Sequence, residues 1–342
     1  GGASGAVASA AIPDFQLPPP VVPAGASGSF EAGGTLRAMA GPPVLAAGRS
    51  GLKWLRFEID FTLGASPDTY ESRLGEVQAN GLKILLSVTG SPDELAATDR
   101  AEYINQYADF VGGLAALGAD GIEIWRNMNR SRSWPTADVN PAEYVQLLAL
   151  SYNAIKGANP NTLVFTGGIA PTDVAGEVGR TASDWNDDAY WAGLAEAGAA
   201  QYADCIGIIY LRGAVAPDAT TGDPRGEDPT IYLPTVIERA RTAFNSALPV
   251  CFTRFGYLSA EGYGPLPDNF SWAQGITTAQ QAEWLAAAIT SARGGDAVRL
   301  LVIWSLDTPV EDTTNPQAGY GLLRPDRVGP ACEAIQAVLV EE

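Results

Sequence analysis

A single (β/α)8 TIM barrel of the α/β class is the fold this chain predicts, and three observations predict it. Short, nearly continuous apolar strands alternate with amphipathic helical segments, as in a parallel sheet covered by helices. Eight such pairs follow residue 29, a number that favours closure over an open sheet. No Gly-x-Gly-x-x-Gly follows the first strand, which argues against a dinucleotide-binding fold. With 342 residues and 46% hydrophobic content, the chain exceeds the roughly 250 residues of a typical barrel.

Residues 1–28 are mostly Gly, Ala, Ser and Pro and read as a tail; residues 29–342 form the barrel domain, with no sign of a second one. The tail lacks the basic start and apolar centre of a signal peptide, so any such peptide is expected to have been removed. An acidic, Ala/Gly/Pro-rich chain with a Pro-rich lead points to a secreted ancestor. Phe30–Leu36 gives a first strand and Pro43–Gly51 its helix. Lys53–Phe61 is a strong strand with strict alternation, and Pro67–Asn80 a helix that Gly81 ends. Leu82–Val88 is followed by the long amphipathic stretch Ala101–Leu117. Gly121–Asn127 precedes helix Pro141–Ala158, closed by Asn159-Pro160. Four more pairs complete the set: Thr162–Thr166 with Asp187–Ala199, Cys205–Tyr210 with Pro234–Phe244, Val250–Phe255 with Thr278–Arg293, and Val298–Trp304 with Gly329–Val340.

Composition removes several function classes. A net charge of −18 disfavours nucleic acid and anionic lipid as partners. No apolar run is long enough for a membrane span. There is no His, which excludes Ser/His/Asp and Cys/His catalysis and His-ligated zinc. Only Lys53, Lys83 and Lys156 are lysines, leaving little room for Schiff-base chemistry. Cys205, Cys251 and Cys332 match no metal motif. The first two each begin a strand and read as buried free thiols; a disulfide between them would leave Cys332 over. No metal and no cofactor are expected, and the protein is expected to be a monomer with a small-molecule ligand.

The informative stretch is Gly121-Ile-Glu-Ile-Trp-Arg-Asn-Met-Asn129, a β-branched run ending in polar residues just before Trp134-Pro135. It resembles the fourth strand of clan-A glycoside hydrolases, the cellulase and xylosidase-like barrels. Their pattern there is apolar-x-apolar-Trp-Asn-Glu-x-Asn, with the Glu as general acid/base. Arg126 stands at the position of the Asn and Asn127 at that of the Glu. The seventh strand, Pro249-Val-Cys-Phe-Thr-Arg-Phe-Gly-Tyr257, resembles the segment carrying the nucleophilic Glu, with Arg254 in its place. Strand six, Ile206-Gly-Ile-Ile-Tyr-Leu-Arg212, has Ile209 and Leu211 where polar residues are expected. The eighth strand keeps Trp304, which the resemblance places on the floor of a sugar subsite. An Asn cannot protonate a glycosidic oxygen and an Arg cannot form a glycosyl ester, so retaining hydrolysis by two carboxylates is not expected. Three such positions changed together read as deliberate redesign.

Alternation assigns the inward side chains. Arg56, Glu58 and Asp60 share a face of strand two; Glu123, Trp125 and Asn127 share one on strand four, with Arg126 able to turn inward at the frayed end. Strand six offers Tyr210 or Arg212, strand seven Arg254, and strand eight Trp304 and Asp307. Trp134, Tyr257, Tyr263, Trp272 and Tyr320 are candidate walls. Arg56 with Glu123 or Glu58 reads as a core ion pair holding strands in register, since buried charges must be paired. The forks of Arg126 and Arg254 suit a carboxylate, phosphate or nitro group. A first reading is therefore an engineered binder of a small planar or anionic ligand through Arg126, Trp125, Tyr210, Arg212, Tyr257 and Trp304. A second is a designed proton-transfer enzyme, with Glu58 or Asp60 as base and Arg254 or Arg126 stabilising charge. A third is a natural carbohydrate-binding pseudoglycosidase.

Overall fold

The computed structural model describes residues 15–25, 28–39, 41, 43–44, 47, 49–135, 138–172, 179–307, 314–324 and 329–340. Eight strands, β1 (Glu31–Thr35), β2 (Trp54–Phe61), β3 (Lys83–Gly90), β4 (Gly121–Arg126), β5 (Leu163–Gly168), β6 (Ile206–Tyr210), β7 (Val250–Phe255) and β8 (Val298–Ile303), pair in parallel in the order β5-β4-β3-β2-β1-β8-β7-β6. The seam between β5 and β6 is closed by bridges pairing Phe165 with Cys205 and Ile169 with Ile208. The predicted barrel is therefore the observed fold.

The helices used below are α1 (Glu71–Ala79), α2 (Pro92–Ala97), α3 (Arg100–Ala116), α4 (Pro141–Ala158), α5 (Asp187–Glu196), α6 (Leu233–Ala243), α7 (Thr278–Gly294) and α8 (Ala331–Val340). Side chains of Ser91, Asp99 and Asn140 cap α2, α3 and α4, each accepting from a backbone N–H of the first turn, as unsatisfied helix N-termini require. The predicted helix over 67–80 divides into a 3-10 turn, Pro67–Tyr70, and α1. Helix α2 is too short to leave a periodic signal in the sequence, and the first predicted helix, Pro43–Gly51, lies partly outside the described residues.

Part of the N-terminal tail is tied down. The Val21 N–H donates to Asn153 Oδ1, Asn153 Nδ2 to the Pro19 carbonyl, and the Tyr202 hydroxyl to the Pro18 carbonyl. The proline-rich stretch is thus strapped across α4 and the turn following α5. Among the described residues, no helix is long and apolar enough to cross a membrane.

The lowest layer of the barrel interior is Trp54, Leu85, Phe165, Cys205, Cys251, Leu300 and Val302. Within it Cys205 and Cys251 form a disulfide, correcting the expectation of two free thiols. Adjacent strands β6 and β7 bring them together, with Gly207 in register opposite Cys251. Cys332 remains a thiol. The cystine spans 46 residues of sequence, so Cys205→Ala with Cys251→Ala is expected to lower stability by about 2–4 kcal/mol. Urea unfolding of the double variant checks this, and an unmoved midpoint would show that the bond adds nothing.

Candidate functional site

Strand β2 obeys simple alternation, and it organises the barrel mouth. Leu55, Phe57, Ile59 and Phe61 join the core under the helices, while Arg56, Glu58 and Asp60 face inward. Arg56 is fully buried. Its Nη1 donates to Glu58 Oε1 at 2.9 Å and its Nη2 to Glu123 Oε2 at 3.1 Å. The other Glu123 oxygen accepts from Thr253 Oγ1 at 2.7 Å and from the Gly168 N–H at 2.8 Å. Glycine is required at 168, because a Cβ there would lie 2.8 Å from that same oxygen. Burial would raise the Glu123 carboxyl, but Arg56 and these hydrogen bonds outweigh it and hold the group below its usual range. The predicted core ion pair is present, and Arg56 bonds both candidate partners.

At the end of β4 alternation breaks down. Trp125 and Asn127 have φ values of 61° and 55°, the left-handed region. The first of these reverses the face, correcting the inward placement of Trp125. Its ring lies in the helix layer against Tyr103, Tyr107 and Trp134, and its Nε1 donates to the Ser133 carbonyl at 2.8 Å. Gly90 makes room for it, since a Cβ there would come within 2.2 Å of the indole. Arg126 turns inward instead, and its Nη1 donates to Glu58 Oε2 at 2.9 Å.

Strand β7 departs from alternation differently. Phe252 and Phe255, three residues apart, pair with Leu301 and Ile303, which are two apart. The extra residue is a β-bulge, and it puts both Thr253 and Arg254 on the inner face. Arg254 donates to Glu58 Oε1, and its guanidinium lies 5.2 Å from the Trp304 ring centroid. Glu58 thus accepts from Arg56, Arg126 and Arg254 together. Burial alone would raise its carboxyl; the three guanidinium groups hold it far below the carboxylate range. Burial and repulsion from Arg56 pull the Arg254 guanidinium down to about 10, against the attraction of Glu58.

Beside this cluster lies a cleft of about 510 Å³, lined among others by Asp60, Thr89, Arg126, Asn127, Arg132 and Arg254. Asn127 and Arg254 therefore share one cavity at the strand ends. Other candidates lie elsewhere. Tyr210 faces the helices because Ile209 is the inward residue of that strand; its hydroxyl donates to the Ile231 carbonyl and its ring packs on Phe252 and Phe255. Tyr257 is buried against Trp284 and Tyr210, and Trp134 against Trp125 and Tyr144. Arg212 pairs with Asp228 at 3.7 Å, outside the cleft. Trp304 is 7% exposed, covered by Arg254 and Tyr320, so it backs an arginine and offers no open floor. Tyr320 is buried there, while Trp272 and Tyr263 stack on Arg225 and Arg324 respectively. Asp307 accepts from Ser305 Oγ and the Arg37 N–H. Thr253 and Thr89 were not legible as site residues, because a bulge and a strand end decide where they point.

No family model matches the sequence and no curated protein matches it. Solved structures do match in fold. A family 39 glycoside hydrolase from Bacteroides cellulosilyticus WH2 superposes with a TM-score of 0.63 at 16% identity, covering 91% of this chain and 63% of that one. A glucosidase from Croceicoccus marinus gives 0.61 at 13% identity, over 94% of this chain and 68% of the other. An endo-1,4-β-mannanase from Rhizomucor miehei gives 0.56 at 12% identity, over 91% and 95%. The chain spans under two thirds of the family 39 enzyme's length. At these identities the likeness is one of fold: a (β/α)8 barrel of the kind found in clan-A glycoside hydrolases.

Proposed function

We propose that the protein binds a small anionic ligand, planar or sugar-like, at the barrel mouth and does not hydrolyse glycosides by the two-carboxylate route. One observation carries this. Three guanidinium groups converge on a single carboxylate, Glu58, beside a cleft shared by Asn127 and Arg254. Around it, Arg56, Arg126, Arg132 and Arg254 face Glu58, Asp60 and Glu123: four cations against three anions. On a chain of net charge −18 this is a local positive field, which attracts and orients an anion.

Glu58 is a poor choice as general base, because three arginines hold its proton affinity down. Asp60, which lines the cleft, is the carboxylate left to the proton-transfer reading. The likeness to glycoside hydrolases supports a sugar-like body for the ligand. Asn127, Ile209 and Arg254, standing where the resemblance expects a Glu, a polar residue and a Glu, support the reading of a redesigned scaffold. Calorimetric titration with 4-nitrobenzoate and with glucuronate, against neutral cellobiose, tests the binding. The anions are expected to bind, and Arg126→Ala to weaken them at least about tenfold, as loss of one charge-assisted contact does. Binding of cellobiose with neither anion would remove the anion site.

A further inference from the structure

We infer that the charged group this cleft takes is a tetrahedral oxyanion, a phosphate or sulfate ester of a polyol, held between Arg126 and Arg132. The inference rests on the anion-binding reading above and narrows it.

A carboxylate has two oxygens in one plane and is satisfied by one or two forks. Glu58 already supplies that chemistry, with Oε1 taken by Arg56 and Arg254 and Oε2 by Arg126. A ligand carboxylate would compete with Glu58 for the donors it occupies. What remains open has a different shape. Arg126 uses only Nη1 on Glu58, leaving the rest of its fork toward the cleft. Arg132 is exposed, lines the cleft, and has no ion-pair partner among the described residues. Thr89 Oγ1 is buried at the same cleft without a hydrogen-bond partner, a cost that a ligand oxygen would remove. Ser133 adds a hydroxyl on the Arg132 side. Two separate forks with two hydroxyls, approaching from β3, β4 and the loop after it, surround a centre carrying three terminal oxygens better than a flat one.

Asp60 lines the same cleft from β2, in register beside Thr89 on β3. A carboxylate at the cleft repels a second anion but accepts hydrogen bonds from hydroxyls, and Thr62 lies beside it. Arg126 and Arg132 thus enter the cleft from β4 and the loop after it and Asp60 from β2, with Thr89 of β3 between them. A ligand with an anionic head and a hydroxylated body matches that arrangement.

The test is calorimetric titration of the intact protein with glucose 6-phosphate, glucose 6-sulfate, glucuronate and glucose, repeated on Arg132→Ala. Either ester is expected to bind at least tenfold more tightly than glucuronate, and the phosphate and sulfate arms decide which ester is preferred. Arg132→Ala is expected to reduce ester binding at least tenfold and glucuronate binding by a clearly smaller factor, so that the preference for the ester falls. Arg132 is exposed, and an unchanged melting temperature will show that the variant is folded. Glucuronate binding as tightly as the esters, or indifference to Arg132→Ala, would overturn this inference and leave the anion site standing. Binding of glucose alone, or of none of the four, would overturn both.

Discussion

Cutting the Arg56–Glu123 pair from one side is expected to cost the folded state about 3–5 kcal/mol, because it leaves a charge buried without its partner. Both side chains are fully buried, and Glu123 joins β4 to Arg56 on β2, to Gly168 on β5 and to Thr253 on β7. Arg56→Met therefore leaves Glu123 with two neutral donors and no cation. Glu123→Leu leaves Arg56 leaning on Glu58 alone. Combining Arg56→Met with Glu123→Leu is expected to recover much of the loss, since apolar groups of similar volume replace buried pairs at little net cost. Urea unfolding of the two singles and the double decides this; additive losses would mean that the two residues do not depend on each other. The pair also sets an acid limb. Glu123 and Glu58 both have folded-state carboxyls below their usual 4.5. Their contribution is accordingly present above that pH and lost as pH falls below it through the lowered values. Arg56→Met should flatten that part of the stability curve.

Installing carboxylates at both strand ends, Asn127→Glu with Arg254→Glu, is expected to create cleavage of a 4-nitrophenyl glycoside. The rate should exceed that of the intact protein at least about 10²-fold, the lower bound for one positioned acid. Both positions line one cleft, as a pair flanking a scissile bond must. Two costs are foreseeable. Asn127 sits in the left-handed region, which Asn tolerates and Glu enters at about 1–2 kcal/mol. Removing Arg254 deprives Glu58 of one cation, leaving Arg56 and Arg126 to hold it. The same variant should lose affinity for anions. A folded double variant without cleavage would mean that these two side chains do not meet across the bond at the roughly 5–5.5 Å retaining enzymes need.

The barrel and the face of β2 were readable because alternation holds through an unbroken strand: Arg56, Glu58 and Asp60 all point where period two puts them. The same rule misplaced Trp125, since its own positive φ breaks the alternation at that residue. It also missed that Thr253 and Arg254 face inward together, because a bulge shows only in the pairing with neighbouring strands. Tyr210 was offered to the mouth for want of a register to choose between it and Ile209. Pairing of Cys205 with Cys251 needed the adjacency of β6 and β7 at a matching height, which cysteine spacing does not carry. The convergence of three arginines on Glu58 was half legible: each residue could be named from its strand end, but not their sharing of one carboxylate.

A crystal structure of the protein soaked with an anionic sugar measures the central point most directly. The charged group is expected within hydrogen-bonding distance of the Arg126 guanidinium, inside the cleft that also holds Asn127 and Arg254. An anion left in solvent while the sugar ring alone contacts the mouth, or bound elsewhere on the barrel, would contradict it.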